Sequence, residues 1–304
     1  MSTVDSAAAL KQGLVKHSGA RISVVIPAYN EAENLPHVLP QIPNYVYEVI
    51  LVDDHSTDDT TAVARELLPT ISIIKTQRGR GKGAALQTGF AAASGDIVVT
   101  FDADGSSNPL EIPAFVGPLL AGADYAKGSR FMQGGGTADM PWHRIVGNAF
   151  FVMLVRLLYG GRYTDLCYGY NAFWLRVAPQ LRLDGDGFEI ETMMNIRVLQ
   201  HRLRVVEVPS FEAARVCGVG YLQTFPDGWR VLKTIWRERQ SATPKHLKRQ
   251  RATGQRPIPY VSVSKAHAEA PITHARPPTA LDQTSTEMSA RSAPAPHAEQ
   301  ASRR

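Results

Sequence analysis

Short apolar runs alternate with segments of helical spacing through the first half of the chain. Four runs rich in β-branched residues predict strands, at about 22–26, 46–52, 71–75 and 97–101. Three intervening segments have the periodicity or the terminal residues of helices, at about 31–39, 58–68 and 83–93. Pro27 is expected to end the first strand. This alternation predicts βαβ units, and therefore an α/β fold with a mainly parallel central sheet and helices on both faces.

The second half of the chain has a less regular pattern. Strands are predicted at about 125–128 and 204–208, and helices at about 144–159 and 189–201. From about residue 243 onward Pro, Ala, Ser, Thr and Gln dominate, and such a segment buries too little apolar surface to offset its ordering entropy. We therefore expect a flexible leader, a single folded domain and a disordered basic tail, over residues 1–20, 21–240 and 241–304.

The net charge of +5 resides in that tail, where ten Lys and Arg stand against four Asp and Glu. The predicted domain is nearly neutral, so the basic composition does not indicate a nucleic-acid partner. The two cysteines, Cys167 and Cys217, lack the spacing of a zinc site or a disulfide framework, which favours a cytoplasmic protein. No signal-peptide pattern is present, and the most apolar run, 149–155, is too short to cross a bilayer.

Two pairs of acidic residues follow predicted strands. Asp53 and Asp54 end the second strand, and Asp102 and Asp104 follow the fourth. Ligands of open α/β sheets bind beyond the carboxyl ends of the strands. Carboxylates at positions i and i+2 of a turn suit Mg²⁺ or Mn²⁺ and leave positions for phosphate oxygens. A solvated turn and a helix-capping turn are the alternatives, but four converging acids are electrostatically costly without a cation or a ligand.

Five motifs occur in order along this part of the chain: Val24–Glu31, Val52–Asp58, Gly81–Ala84, Asp102–Gly105 and Gly128–Arg130. With later matches up to about residue 211, the chain resembles family-two glycosyltransferases, particularly the dolichyl- and polyprenyl-phosphate mannosyl- and glucosyltransferases. The resemblance implies a Rossmann-like fold of the glycosyltransferase A type, with a donor half at about 21–130 and an acceptor half at about 131–240. It also implies inverting transfer of a hexose from a UDP- or GDP-sugar to a polyprenyl phosphate or a related acceptor.

The resemblance further implies roles for individual residues. It places a nucleotide pocket at Pro27, Ala28, Tyr29, Glu31 and Asp54, with Asp53 in support. Asp102, Ala103 and Asp104 would hold the metal ion and the donor diphosphate, and Asp104 would count as catalytic. Arg130 and Arg144 would face a phosphate, because a planar guanidinium can bind two oxygens at once. A surface charge is the alternative for each arginine.

Asp165 stands where the resemblance implies a candidate general base, and it is grouped with Asp104 and Arg130 as catalytic. A hydroxyl acceptor would require such a base. A lipid phosphate would not, since its second pKa of about 6 leaves it largely ionised near neutral pH. Asp165 would then orient the acceptor. Glu189 and Glu191 are reserve candidates, and their alternative is an acidic helix N-terminus.

The glycine-rich loop 78–83 precedes a predicted helix. Gly79, Gly81 and Ala84 have the spacing of a weak dinucleotide fingerprint, but no Ser or Thr follows Lys82 as a Walker loop requires. We expect the loop to flank the donor site, with Lys82 adding a cation near phosphate.

Aromatic residues of 142–159, together with Phe225, Trp229 and Trp236, are predicted either to lie in the core or to contact a membrane surface at the inner face of the cell membrane. Basic residues at 245–251 would strengthen such a peripheral contact. Three other functions stay open: transfer to a hydroxyl acceptor, a sugar nucleotidyltransferase, and a non-catalytic protein that binds sugar nucleotides.

Overall fold

The structure is a computed structural model that describes residues 12–13, 15–16, 18–76, 79–138 and 140–241. Within them the strands are β1 (Ile22–Ala28), β2 (Glu48–Asp53), β3 (Ser72–Lys75), β4 (Ile97–Thr100), β5 (Tyr125–Ser129), β6 (Gly136–Thr137), β7 (Asn171–Trp174), β8 (Val205–Pro209) and β9 (Phe211–Glu212). The tail predicted to be disordered lies outside the described residues, except for Ser241. So does most of the predicted leader, although Val15 is buried against the core.

Seven strands form the central sheet in the order β3-β2-β1-β4-β7-β5-β8, and β6 pairs with β9 separately. All the neighbouring strands of the sheet are parallel except that β7 lies antiparallel between β4 and β5. The predicted mainly parallel sheet is therefore confirmed. The strand order reverses between β1 and β4, and such a switch point opens a crevice at the carboxyl ends of the strands.

The helices that lie wholly within the described residues are α1 (Leu35–Val38), α2 (Thr60–Leu67), α3 (Lys82–Ala92), α4 (Ile112–Leu120), α5 (Trp142–Tyr159), α6 (Ala178–Leu181), α7 (Ile190–Gln200) and α8 (Thr224–Ser241). They cover both faces of the sheet. Val24 of β1 belongs to the core shared with α1, α2 and α4, whereas Val25 belongs to the core shared with α3 and α7. A strand buried on both faces explains why the first motif begins as a continuous apolar run.

Helices α5, α7 and α8 enclose a third, smaller apolar cluster, which includes Val155, Ile196 and Ile235. Arg197 of α7 joins α8 through an ion pair with Glu238, whose oxygen lies 2.7 Å from the guanidinium. This layer carries α5 and α8 beside the sheet, next to the crevice.

Several elements differ from the sequence prediction. The helix predicted at 31–39 is only the four-residue α1 followed by a 3₁₀ turn, Leu39–Gln41. Pro27 lies inside β1, because beyond Val25 this strand pairs with β2 alone and a missing N–H is tolerated there. Helix α4 was not predicted, since its two prolines, Pro113 in the first turn and Pro118 near the end, disguise the helical pattern.

Gly83 in the first turn of α3 has no room for a side chain. A Cβ atom there would overlap the backbone carbonyl of Gly185. We expect Gly83→Ala to lower the free energy of unfolding by about 2 kcal/mol. The matched control is Gly117→Ala in α4, where a Cβ atom meets nothing within 4 Å and a gain of about 0.5–1 kcal/mol is expected. Urea denaturation measures the free energy of unfolding of both variants. Equal changes in Gly83→Ala and Gly117→Ala would contradict the prediction.

Candidate active site

A cavity of about 780 Å³ opens at the carboxyl ends of β1, β2 and β4. Most of the predicted donor-site residues line it: Pro27, Ala28, Tyr29, Glu31, Asp54, Lys82, Asp102, Ala103 and Asp104. Arg130 and Arg144 line it as well. Asp53 and Asp165 do not belong to its lining. The structure therefore brings the acids of two separate strand ends, Asp54 and Asp104, into one cleft.

The two acids at the end of β2 point in different directions. Asp54 accepts a hydrogen bond from the Gly81 N–H through Oδ2 at 2.6 Å. Its Oδ1 is buried and accepts no hydrogen bond from the described residues, while the His55 Nδ1 lies 3.5 Å away. Asp53 instead accepts the Ser56 N–H at 3.0 Å and is buried. Asp54 thus faces the cavity, and Asp53 holds the turn behind it.

Each carboxylate of the turn after β4 lies beside a cation. Asp102 lies 2.7 Å from the Lys82 Nζ, and Asp104 lies 3.5 Å from the Arg215 Nη1. Among the described residues, no three His, Cys, Asp or Glu side chains gather as a complete metal site. Protein sites for Mg²⁺ commonly use one or two carboxylates plus substrate phosphates. The donor set of Asp102 and Asp104 therefore fits a cation that shares its ligands with a diphosphate.

Lys82 is buried between two carboxylates, Asp102 and Glu191, each with an oxygen 2.7 Å from Nζ. Burial alone would lower the pKa of Lys82, but the two negative charges outweigh it and raise that pKa above its ordinary value. Burial raises the pKa of Glu191 despite the ammonium. Lys82 thus positions Asp102, and its contact with phosphate stays a prediction.

Arg130 is held between two carboxylates. It donates to Asp165 through Nε at 2.7 Å and Nη2 at 3.0 Å, and its Nη1 lies 3.1 Å from both oxygens of Glu212. Its guanidinium also lies 4.9 Å from the centre of the Tyr168 ring. The orientation of Arg130 toward the cavity is therefore fixed by partners that are remote in sequence.

Asp165 lies behind Arg130 and is fully buried. Besides the guanidinium it accepts the backbone N–H groups of Arg130 and Cys167, both at 3.2 Å. Burial would raise the pKa of Asp165, but the charges of Arg130 and Lys127 outweigh it and lower that pKa below its ordinary value. A buried carboxylate with a low pKa and occupied lone pairs is a poor base. The position of Asp165 behind Arg130 favours a part in holding that arginine over the predicted base, and the acceptor-orienting role stays a prediction.

Arg144, in the first turn of α5, is the cation of this cavity without an acidic partner among the described residues. Its Nε donates to the Thr224 Oγ1 at 3.1 Å, and its Nη2 donates to the Leu222 carbonyl at 3.0 Å. The same cavity is also lined by residues of α5 and α8 that we call the apolar arm: Gly147, Phe150, Phe151, Trp229 and Leu232. The cavity thus joins an acidic end to a cationic and apolar end.

Residues 23–178 match the Glycosyl transferase family 2. The chain belongs to this family. It is a glycosyltransferase, and the resemblance drawn from its five motifs is confirmed.

Two relatives are similar in sequence to this family 2 chain over about two thirds of its length. A dolichol-phosphate mannosyltransferase of Pyrococcus furiosus is 34% identical over 211 residues, which make up 67% of this chain but only 59% of the relative. A polyprenol monophosphomannose synthase of Mycolicibacterium smegmatis is 33% identical over 216 residues, covering 66% of this chain and 80% of the relative.

A solved structure has the same fold. Glucosyl-3-phosphoglycerate synthase of Mycobacterium tuberculosis, crystallised with Mn²⁺, UDP and phosphoglyceric acid, superposes with a TM-score of 0.59 at 24% identity. The likeness covers 74% of this chain and 80% of that one. It confirms the predicted fold of the glycosyltransferase A type.

Three residues of this glycosyltransferase site were not predicted: Glu212, Arg215 and Tyr221. The latter two belong to the strap, residues 213–223, which crosses the cavity between β9 and α8. Arg215 lies 2.7 Å from Glu31, whose pKa is raised because burial outweighs this cation. The strap follows the last recognised motif and has no periodic pattern, so no signal in the sequence marked it.

Proposed function

We propose that this glycosyltransferase moves a hexose from a UDP- or GDP-sugar to the phosphate of a polyprenyl phosphate, with a divalent cation and with inversion. One observation carries the proposal: a single cavity joins the acids of the strand ends to Arg144 and an apolar arm. The names of relatives support the acceptor class, since they act on dolichol phosphate, polyprenol phosphate and undecaprenyl phosphate.

The donor would lie along the acidic end of the cavity. Asp54 lines this end of the cavity, and its carboxylate suits the imide N–H that uracil and guanine both present. Asp102 and Asp104 would hold Mg²⁺ or Mn²⁺ together with the diphosphate, and neighbours crystallised with Mn²⁺ or Mg²⁺ and UDP support this ligand set. The bound cation would supply Lewis-acid stabilisation of the departing diphosphate. Arg215, beside Asp104, adds a positive charge at the same place.

The acceptor would enter from the other end. Arg144 would hold the phosphate, and the apolar arm between α5 and α8 would take the first part of the prenyl chain. A phosphate oxygen attacks the anomeric carbon opposite the departing diphosphate, and a single displacement inverts the configuration. Because this phosphate is already ionised near neutral pH, with a second pKa of about 6, no base is needed. Asp165 then contributes by holding Arg130 in place.

The test is a product analysis with the full chain, Mn²⁺, UDP- or GDP-hexose, and undecaprenyl phosphate. The expected result is hexose extracted with the lipid and an equal amount of nucleoside diphosphate. Release of pyrophosphate would instead identify a nucleotidyltransferase. Sugar found only on a water-soluble acceptor would favour a hydroxyl acceptor, and nucleotide binding without turnover would favour a binding protein.

Helices α5 and α8 expose aromatic side chains. The sequence left open whether these side chains lie in the core or contact a membrane surface. Trp142 is 76% exposed and Phe225 is 87% exposed, and Trp229 and Trp236 are exposed too. Helix α5 contains no Asp or Glu. The acids of α8, Asp227 and Glu238, are buried. In the described part of the chain, no helix has the length and apolar character needed to cross a bilayer.

We propose that these exposed faces rest on an anionic membrane surface. Aromatic side chains suit the headgroup region, and the exposed Arg230, Lys233 and Arg237 of α8 would be attracted to acidic lipids. The basic residues at 245–251, which were predicted to assist, lie outside the described residues. The acceptor of such an enzyme would then be presented at the mouth of the apolar arm.

A vesicle experiment checks this surface. We expect the full chain to sediment with vesicles containing phosphatidylglycerol at low salt and to be released as salt screens the charges. Replacing both Trp229 and Trp236 by serine should weaken this binding about tenfold or more. The control is Tyr47→Ser, another exposed aromatic, which packs beside Arg21 at the far end of β1. Wild-type protein that stays in solution at low salt would contradict the proposal.

A further inference from the structure

The strap is fixed to the donor end of the cavity, although it belongs to the predicted acceptor half. The Val216 N–H donates to the Asp104 carbonyl at 3.2 Å. The Cys217 N–H donates to the Asn34 Oδ1 at 2.8 Å, and the Asn34 Nδ2 donates back to the Cys217 carbonyl at 3.2 Å. These bonds hold the strap against the turn after β4 and the loop after β1.

Tyr221 of the strap meets Tyr29 at this end. Their ring centres are 5.1 Å apart, and the ring planes are tilted by 57°. Tyr221 remains 48% exposed and Tyr29 remains 39% exposed, and both line the cavity. The two rings therefore form an aromatic wall that the described residues cover only in part.

Asp54 supplies an independent mark of a ligand beside this wall. Asp54 lines the same cavity, and its buried Oδ1 accepts no hydrogen bond from the described residues, although the His55 Nδ1 lies 3.5 Å away. An acceptor without a hydrogen bond is costly unless a donor satisfies it. A planar heterocycle with an N–H edge meets both conditions. The edge would bond to the Asp54 carboxylate while the flat face packed on an aromatic ring.

We propose that Tyr221 completes the donor site by packing against the nucleobase, so that the strap helps to bind the donor. This inference rests on the proposed function. It also links the two ends of the cavity, because the Leu222 carbonyl, next to Tyr221 in the chain, holds Arg144 at 3.0 Å. A base packed on Tyr221 would restrict the motion of the Leu222 carbonyl. That carbonyl orients Arg144, the residue proposed to bind the acceptor phosphate.

The test compares Tyr221→Ala and Tyr221→Phe with the wild type by isothermal titration calorimetry, using UDP and GDP in the presence of Mn²⁺. Loss of one base–aromatic stack should weaken nucleotide binding by at least about fivefold in the alanine variant. The phenylalanine variant should bind as the wild type does, because it keeps the ring. Val219→Ala is the control, since this strap residue is 81% exposed and does not line the main cavity.

Titration with pyrophosphate and Mn²⁺ distinguishes the loss of a contact with the base from a general disruption of the strap. The inference expects pyrophosphate to bind the wild type and Tyr221→Ala equally. It is overturned if Tyr221→Ala binds UDP and GDP normally, or if pyrophosphate binding falls in parallel with nucleotide binding. Wild-type protein that binds neither UDP nor GDP would overturn the proposed function itself, which is a distinct outcome.

Discussion

Replacing Asp104 by asparagine is expected to lower the turnover number for hexose transfer by about a thousandfold, the size seen when one electrostatic contact to a developing charge is removed. The carboxylate lies in the turn after β4 and pairs with Arg215, 3.5 Å away. In the proposed function its charge would also hold the divalent cation. The substitution keeps the side-chain volume and still offers an oxygen to the Ser106 N–H, which Asp104 accepts at 3.0 Å. Steady-state kinetics at several Mn²⁺ concentrations measure the effect.

Asp96→Asn is the matched control for this variant. Asp96 lies just before β4, at the opposite end of the strand, and pairs with Arg21 at 3.3 Å in an exposed ion pair. Exposed pairs contribute about 0–1 kcal/mol, so its turnover should stay within about twofold of the wild type. A turnover number of Asp104→Asn near the wild-type value would contradict the proposed metal-binding role of Asp104.

Asp165→Asn is expected to lower the free energy of unfolding at neutral pH by about 3–5 kcal/mol, because it leaves a buried guanidinium without its main partner. Arg130 is only 7% exposed and would keep Glu212 alone as a carboxylate partner. Urea denaturation monitored by tryptophan fluorescence measures the change. The control is Asp184→Asn, which removes a largely exposed partner of Arg197 and should cost less than about 1 kcal/mol.

The pH dependence of the same pair has a defined sign. The pKa of Asp165 is lower in the folded chain than its ordinary value, which is about 3.9. Its contribution to stability is therefore fully present above about pH 4 and is lost as the pH falls through the folded value. The difference in unfolding free energy between wild type and Asp165→Asn should shrink on acidification. A difference that stays constant into strong acid would contradict this assignment.

The sequence was sufficient to predict the sheet and the acidic end of the cavity. Asp54 and Asp104 each follow a β-branched run, and parallel strands end at one edge of a sheet, so their convergence needed no knowledge of side-chain contacts. The antiparallel β7 was not predicted, because strand direction depends on pairing with β4 and β5 and leaves no local pattern.

The ion-pair partners of the cations in the site could not be predicted from the sequence either. Lys82 and Arg130 were expected to meet phosphate, yet each is already bound by carboxylates far along the chain. Such pairs form only when distant helices and loops pack together, so residue type and spacing do not reveal them. Arg144 is the predicted cation whose charge stays free of carboxylates in the described part of the cavity.

The position of β7 limits how this enzyme can be divided or recombined. Strand β7 follows helix α5 and belongs to the predicted acceptor half of the chain. It nevertheless lies between β4 and β5, which both belong to the predicted donor half. A fragment cut after residue 130 would lack β8 as well as β7, which leaves one edge of β4 and both edges of β5 unpaired. Unpaired strand edges are templates for aggregation. Chimeras that exchange acceptor specificity between relatives must therefore carry β7 with a matched β4 and β5, and a simple fusion at the midpoint should give insoluble protein.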